Sequence, residues 1–205
     1  MKKNRLYLGS QSKMRQHLLD LAEIPYTVLK QTCDECAVNL EKSFDKYVLA
    51  IAQEKINHVI IPEKLQDDSP IFILTADTLM RLQESKTILG KPKDKDDAKQ
   101  MLNLMQTEPI ELVTGCCLEK RKWANNTWQT ASKKHWTMPA TIEFCVPDEE
   151  MDLYFEKMPY ALSACGAGII EDFGLNFLKR IDGSFTAVLG LPLFELRREL
   201  KAMGF

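Results

Sequence analysis

Apolar and polar positions along this chain follow two periods that take turns. Short runs that are apolar at every or every second residue alternate with stretches whose apolar residues stand three and four apart. The first pattern predicts strands and the second helices, so the chain predicts an α/β protein. Arg5-Leu-Tyr-Leu is the first expected strand, broken by Gly9-Ser10-Gln11-Ser12. A helix follows with Met14, Leu18, Leu21 and Ala22 on one stripe, then a strand at Tyr26-Thr-Val-Leu. Residues 43–59 predict a long helix whose stripe is Phe44, Tyr47, Val48, Ile51, Ala52 and Val59. Ile71-Phe-Ile-Leu-Thr-Ala predicts a buried strand that stops at Asp77. Asp94 is placed to cap a helix with Ala98, Met101, Leu102 and Met105 inward. Glu111–Leu118 and Thr141–Val146 read as strands, and the polar residues 120–134 between them, with Trp123 and Trp128, as a hairpin tip. Pro147 opens a short helix to about Lys157, Phe177–Gly183 is a strand and turn, and Leu191-Pro192 starts a last helix to about Ala202.

Three features carry candidate chemistry. In open α/β sheets ligands gather at the carboxyl ends of strands, so Asp77 is expected to offer its carboxylate to a cleft; capping a turn is the structural alternative. Lys55 falls on the apolar stripe of its helix, where an ammonium is costly unless it snorkels to water or meets an anion. The Gly9–Ser12 loop lies between a strand and a helix, where free N–H groups and the helix dipole suit phosphate. It is no Walker loop, and Arg15 in the first helical turn either grips an anion or is a solvated side chain. With the acidic pair Asp34-Glu35, the set suits phosphoanhydride hydrolysis: cations for phosphate, carboxylates for a divalent ion or a water.

Composition narrows the field. The 205 residues are 45% hydrophobic with a net charge of −2, enough for one domain and too little basic field for nucleic acid as a bulk partner. No apolar run approaches a membrane span and the basic start leads into too short an apolar run for a signal peptide, so a cytoplasmic protein with no membrane partner is expected. Six cysteines fit reduced thiols; the lone Cys33-Asp-Glu-Cys36 spacing leaves zinc or a redox dithiol as alternatives.

These residues also carry a resemblance. Leu6-Tyr-Leu-Gly-Ser10-Gln-Ser12-Lys-Met14-Arg15 is similar to the opening L-x-L-A-S-x-S-P-R-R of the Maf family of nucleoside triphosphate pyrophosphatases, which share the inosine triphosphate pyrophosphatase fold. Asp34-Glu35, Ala52-Gln-Glu-Lys55, Ala76-Asp77-Thr78, Ile88-Leu-Gly-Lys91-Pro92, Val113-Thr-Gly115 and Val188-Leu-Gly-Leu-Pro192 resemble further motifs, so the likeness spans nearly the whole chain. It implies a single domain over 1–205: an elongated mixed sheet with flanking helices forming a two-lobed cleft. It implies hydrolysis of a nucleoside triphosphate to the monophosphate and pyrophosphate with Mg²⁺ or Mn²⁺, in an enzyme for which a homodimer is compatible. Asp77 would be the general base, Glu35 and Asp77 the metal ligands, and Ser10, Arg15, Lys55 and Lys91 the phosphate cradle. Lys13 and Met14 depart from the family's Pro and first Arg. Met14 and Glu171 resemble the branch acting on 7-methyl-GTP, whereas Thr78 resembles the dTTP/UTP branch. The expectation leans to 7-methyl-GTP, with a dTTP/UTP enzyme or a catalytically impaired nucleotide-binding regulator as alternatives.

Overall fold

The computed structural model describes residues 5–34, 38, 43–61, 63 and 69–205. The chain forms two compact units: residues 1–77, 114–138 and 190–205 make unit 1, and residues 78–113 and 139–189 make unit 2. One mixed sheet of seven strands, ordered β2-β1-β3-β5-β6-β7 with β4 paired to β3, is flanked by helices. No helix among the described residues is long and apolar enough to cross a membrane.

Unit 1 starts with β1 (Arg5–Leu8), α1 (Lys13–Leu21) and β2 (Tyr26–Val28), with β1 and β2 parallel. Ser12 caps α1 by accepting the Arg15 amide at 3.3 Å. The expected apolar stripe of α1 is corrected: Leu18 and Leu19 are buried together with Arg15, while Leu21 is 66% exposed. Leu21 is the last residue of this nine-residue helix. Helix α2 (Phe44–Asn57) packs Val48, Ile51, Ala52 and Ile56 inward. Strand β3 (Ile71–Leu82) runs parallel to β1, with Leu8 opposite Leu74.

Strand β3 also corrects an expectation. The strand does not end at Asp77; it continues through Thr78 to Leu82. Met80 and Leu82 are buried in the core of unit 2, and Met80 and Arg81 pair with β4 (Ile88–Leu89). Burial is complete from Ile71 to Asp77 and intermittent from Thr78 to Leu82, so the uniform apolar run marks two-sided burial rather than the whole strand.

In unit 2, α3 (Lys95–Thr107) buries Ala98, Leu102 and Met105, and its cap Asp94 accepts the Asp97 amide at 2.9 Å. Strands β5 (Ile110–Ala124) and β6 (Thr127–Phe144) are far longer than the pattern suggests. The polar residues taken as a hairpin tip are strand, and the turn is only Asn125-Asn126, both with positive φ, as a two-residue hairpin turn requires. After α4 (Met151–Lys157) come short 3₁₀ turns, β7 (Leu178–Gly183), α5 (Phe185–Val188) and, back in unit 1, α6 (Leu193–Ala202). Edge-on aromatic contacts among Phe144, Tyr154, Phe173 and Phe177, with centroids 5.6–6.4 Å apart, lock the end of β6, α4 and the 172–177 turn into one core.

Candidate active site

Unit 1 holds four of the expected site residues: Ser10 just after β1, Arg15 on α1, Lys55 near the end of α2 and Asp77 within β3. The amide of Gly9 donates to the Leu74 carbonyl at 2.8 Å, so the chain leaves β1 while still held against β3. A Cβ on Gly9 would lie 2.7 Å from Val59 Cγ2 and 2.8 Å from Thr75 Cγ2, which explains glycine at this close approach. Ser10 follows, buried, and its Oγ accepts from Arg15 Nη1 at 3.0 Å. Arg15 Nε donates to the Gly190 carbonyl at 2.8 Å. A buried guanidinium is thereby fixed at its root by the cap of α1 and at its head by two oxygens. The Arg15 of the sequence reading is thus no freely solvated side chain.

Asp77 and Lys55 meet directly. Thr75 and Asp77 stand two apart on β3 and share a face; Ala52 and Lys55 stand three apart on α2 and share a face. Thr75 Oγ1 donates to the Ala52 carbonyl at 2.6 Å, which braces strand against helix. One step further along both elements, Lys55 Nζ lies 2.6 Å from Asp77 Oδ1, each side chain 8% exposed. Of the two explanations for a lysine on an apolar stripe, the structure shows the anion and not snorkelling. The other oxygen, Asp77 Oδ2, is buried and has no hydrogen-bond partner among the described residues. Such an orphaned carboxylate oxygen fits a cation or the proton of a water. Glu35, the second expected metal ligand, lies outside the described residues, as does Cys36.

Lys91, Thr78 and Glu171 belong to unit 2. Lys91 is exposed just after β4, and the Gly90 carbonyl accepts the Gly166 amide at 2.8 Å, which stitches this loop to the segment leading to Glu171. Thr78 is half-buried on β3 and Glu171 half-buried at the start of the 172–177 turn. Burial, then the adjacent Asp172 carboxylate, holds the Glu171 carboxyl above the usual carboxylate range. Met14 is half-buried on α1 in unit 1. Cys116 and Cys117 are buried on β5, where desolvation pushes both thiols up, Cys117 to about 12.

Two contributors escaped the sequence reading. The Gly190 carbonyl lies in the Val188–Pro192 motif, but a backbone acceptor leaves no side-chain signal. Thr75 lies one residue before the Ala76-Asp77-Thr78 motif, and its strand parity with Asp77 was the available clue.

A family model and several similar proteins agree on the family. The family model described as Maf-like protein matches residues 5–203. A protein named dTTP/UTP pyrophosphatase from Porphyromonas gingivalis is 31% identical, covering 100% of this chain and 96% of its own length. Proteins of the same name from Halalkalibacterium halodurans, 33% identical over 98% of this chain and 96% of theirs, and Acholeplasma laidlawii, 31% identical over 96% and 95%, match similarly. Among solved structures, a HAM1 protein from Coxiella burnetii aligns with a TM-score of 0.35 and 12% identity, over 69% of this chain and 73% of that one.

Proposed function

The chain belongs to the Maf family, and on that premise we propose that it hydrolyses a pyrimidine nucleoside triphosphate, dTTP or UTP, to the monophosphate and pyrophosphate. The observation that carries the chemistry is the buried Lys55–Asp77 pair with Asp77 Oδ2 left unpartnered. A carboxylate with one oxygen on an ammonium and one open is suited to orient and deprotonate a water at the α-phosphorus. Arg15, with Ser10, and Lys55 and Lys91 are assigned to the phosphates, where charge-assisted hydrogen bonds stabilise the departing pyrophosphate. Thr78 and Glu171 are assigned to the base. The donor set suits a divalent ion, Mg²⁺ or Mn²⁺, held by Asp77 and, in this reading, Glu35. Such an ion would supply charge neutralisation on the phosphates and a more acidic bound water.

The expected lean to 7-methyl-GTP is not supported by the relatives, which are named for dTTP and UTP; the dTTP/UTP alternative fits them better. Met14, the other position behind that lean, stands half-buried on α1. The test is pyrophosphate release from dTTP, UTP, CTP, GTP and 7-methyl-GTP with Mg²⁺ or Mn²⁺. The expected result is the highest kcat/KM for dTTP or UTP. Preference for 7-methyl-GTP would overturn the pyrimidine assignment, and binding without pyrophosphate release would favour the impaired regulator.

A further inference from the structure

Within unit 1, α2 meets β5 and β3 at positions three residues apart. At Leu49 the helix backbone lies against Gly115 of β5: a Cβ on Gly115 would stand 2.9 Å from Leu49 Cα and 3.1 Å from the Val48 carbonyl carbon. At Ala52 the helix carbonyl accepts the Thr75 hydroxyl at 2.6 Å. At Lys55 the ammonium meets Asp77 Oδ1, also at 2.6 Å. Residues three apart on a helix share a face and rise by about 4.5 Å along its axis. Residues two apart on a strand share a face and stand about 6.6 Å apart. Thr75–Ala52 and Asp77–Lys55 are therefore successive rungs between one strand and one helix.

Both arms of the Thr75 side chain are used. Thr75 is 0% exposed, on a stretch of β3 that is otherwise apolar from Ile71 to Ala76. A hydroxyl in that setting costs free energy unless it is bonded, and the Ala52 carbonyl bonds it. The Cγ2 methyl lies where a Cβ on Gly9 would come within 2.8 Å, so it packs on the Gly9 backbone. That backbone is itself held, because the Gly9 amide donates to the Leu74 carbonyl at 2.8 Å. With the methyl seated on Gly9, rotation about χ1 is blocked and the hydroxyl stays aimed at α2. A valine would keep the methyl contact and lose the bond; a serine would keep the bond and lose the methyl contact.

We propose that Thr75 is a positioning residue of the site: its hydroxyl fixes α2 against β3 at the height where Lys55 holds one oxygen of Asp77 and leaves the other open. Lys55 is long and rotamer-rich, so its ammonium is placed only as well as the backbone that carries it, and that backbone lies three residues from the Ala52 carbonyl. A misplacement of about 1 Å at a reacting group is enough to cost on the order of 10²-fold in rate. Thr75 acts through Lys55 and Asp77 and makes no contact with substrate in this assignment. The kinetic consequence rests on the pyrophosphatase reading; the placement of Lys55 by Thr75 does not.

The experiment measures kcat and KM of wild type, Thr75→Val, Thr75→Ser, Lys55→Met and Thr75→Val/Lys55→Met for the nucleoside triphosphate that the wild type turns over best. Thr75→Val is expected to lower kcat/KM by about 10–100-fold, and Thr75→Ser to stay within about threefold of wild type. In the Lys55→Met background Thr75→Val is expected to change kcat/KM by less than about twofold, because no ammonium is left to place. A hydroxyl with a merely structural role gives the same fold-loss in both backgrounds, and that result overturns the proposal. So does a Thr75→Val within about threefold of wild type, or a Thr75→Ser loss equal to that of Thr75→Val. If Thr75→Val does not fold, Thr75→Ser against Thr75→Ala, which differ by the hydroxyl alone, decides by the same criterion. Absence of pyrophosphate release from every nucleoside triphosphate tried overturns the pyrophosphatase reading instead. The placement is then read from urea unfolding of the same variants: a double-variant loss smaller than the two single losses together supports it, and simple addition overturns it.

Discussion

Removing the ammonium from the Lys55–Asp77 pair is the sharpest test of the site's architecture. The two side chains are 8% exposed and their charged atoms 2.6 Å apart. At an effective dielectric near 20, unit charges about 3 Å apart attract by about 5–6 kcal/mol. Desolvating both ions costs several kcal/mol each, so the net worth of the intact pair is small. The asymmetry is what can be measured. Lys55→Met keeps most of the packing volume and strands a buried carboxylate, a loss of about 3–5 kcal/mol. Asp77→Asn in the same background removes the stranded charge, so Lys55→Met/Asp77→Asn is expected to recover most of that loss. Urea unfolding of the wild type, the two single variants and the double variant closes the cycle. A Lys55→Met loss below about 1 kcal/mol, or a double variant as unstable as the two single losses added together, would refute a buried coupled pair. Restored stability with no restored turnover in the double variant is the expected companion result, because the catalytic carboxylate is then gone.

Further outcomes follow from single contacts. Asp77→Asn is expected to lower kcat by about 10²–10⁴ in the pyrophosphate-release assay, and near wild-type turnover would remove Asp77 from the base role. Arg15→Lys keeps a charge but cannot reach Ser10 Oγ and the Gly190 carbonyl while also presenting a planar fork; kcat/KM is expected to fall by about 10–100-fold, the equivalent of one charge-assisted hydrogen bond. Replacing Cys33 and Cys36 with Ser is expected to leave activity and zinc content unchanged; stoichiometric zinc in the wild type would restore the metal alternative. In unit 2, the hydrogen bond from Arg81 holds the Glu111 carboxyl below the ordinary 4.5, so the pair's contribution is present above about pH 4.5 and lost as pH falls through the lowered value. Because the pair is partly exposed, Glu111→Gln is expected to cost at most about 1 kcal/mol at pH 7, a difference that thermal unfolding should show shrinking as pH falls through the lowered value.

Local signals were legible in the sequence because their causes are local. Strand β1, the Asp94 cap and the inward set Ala98, Leu102 and Met105 depend on residues within a turn of one another, and the structure has them as the pattern predicts. The hairpin of β5 and β6 was hidden for the opposite reason. From Thr127 to Pro139 the strand is mostly exposed, so solvated side chains give it the composition of a loop, and only pairing with β5 makes it a strand. Asp77 stood out as a charge closing an apolar run, but the run marked where two-sided burial ends and not where β3 ends. Periodicity placed Lys55 on a buried face and could not name what it meets there. A face is set by neighbours three and four residues away, whereas its partner Asp77 is 22 residues distant and is brought in only when β3 packs on α2. The Gly190 carbonyl reaches Arg15 across 175 residues, and a backbone oxygen has no residue type by which sequence could announce it. The sequence by itself thus determined the α/β alternation, the elements with local signals, the family and the inventory of charges. Which charge faces which, and which oxygen is left open, was decided by tertiary packing alone, because electrostatic partnership depends on distance in space and burial, neither of which a local pattern encodes.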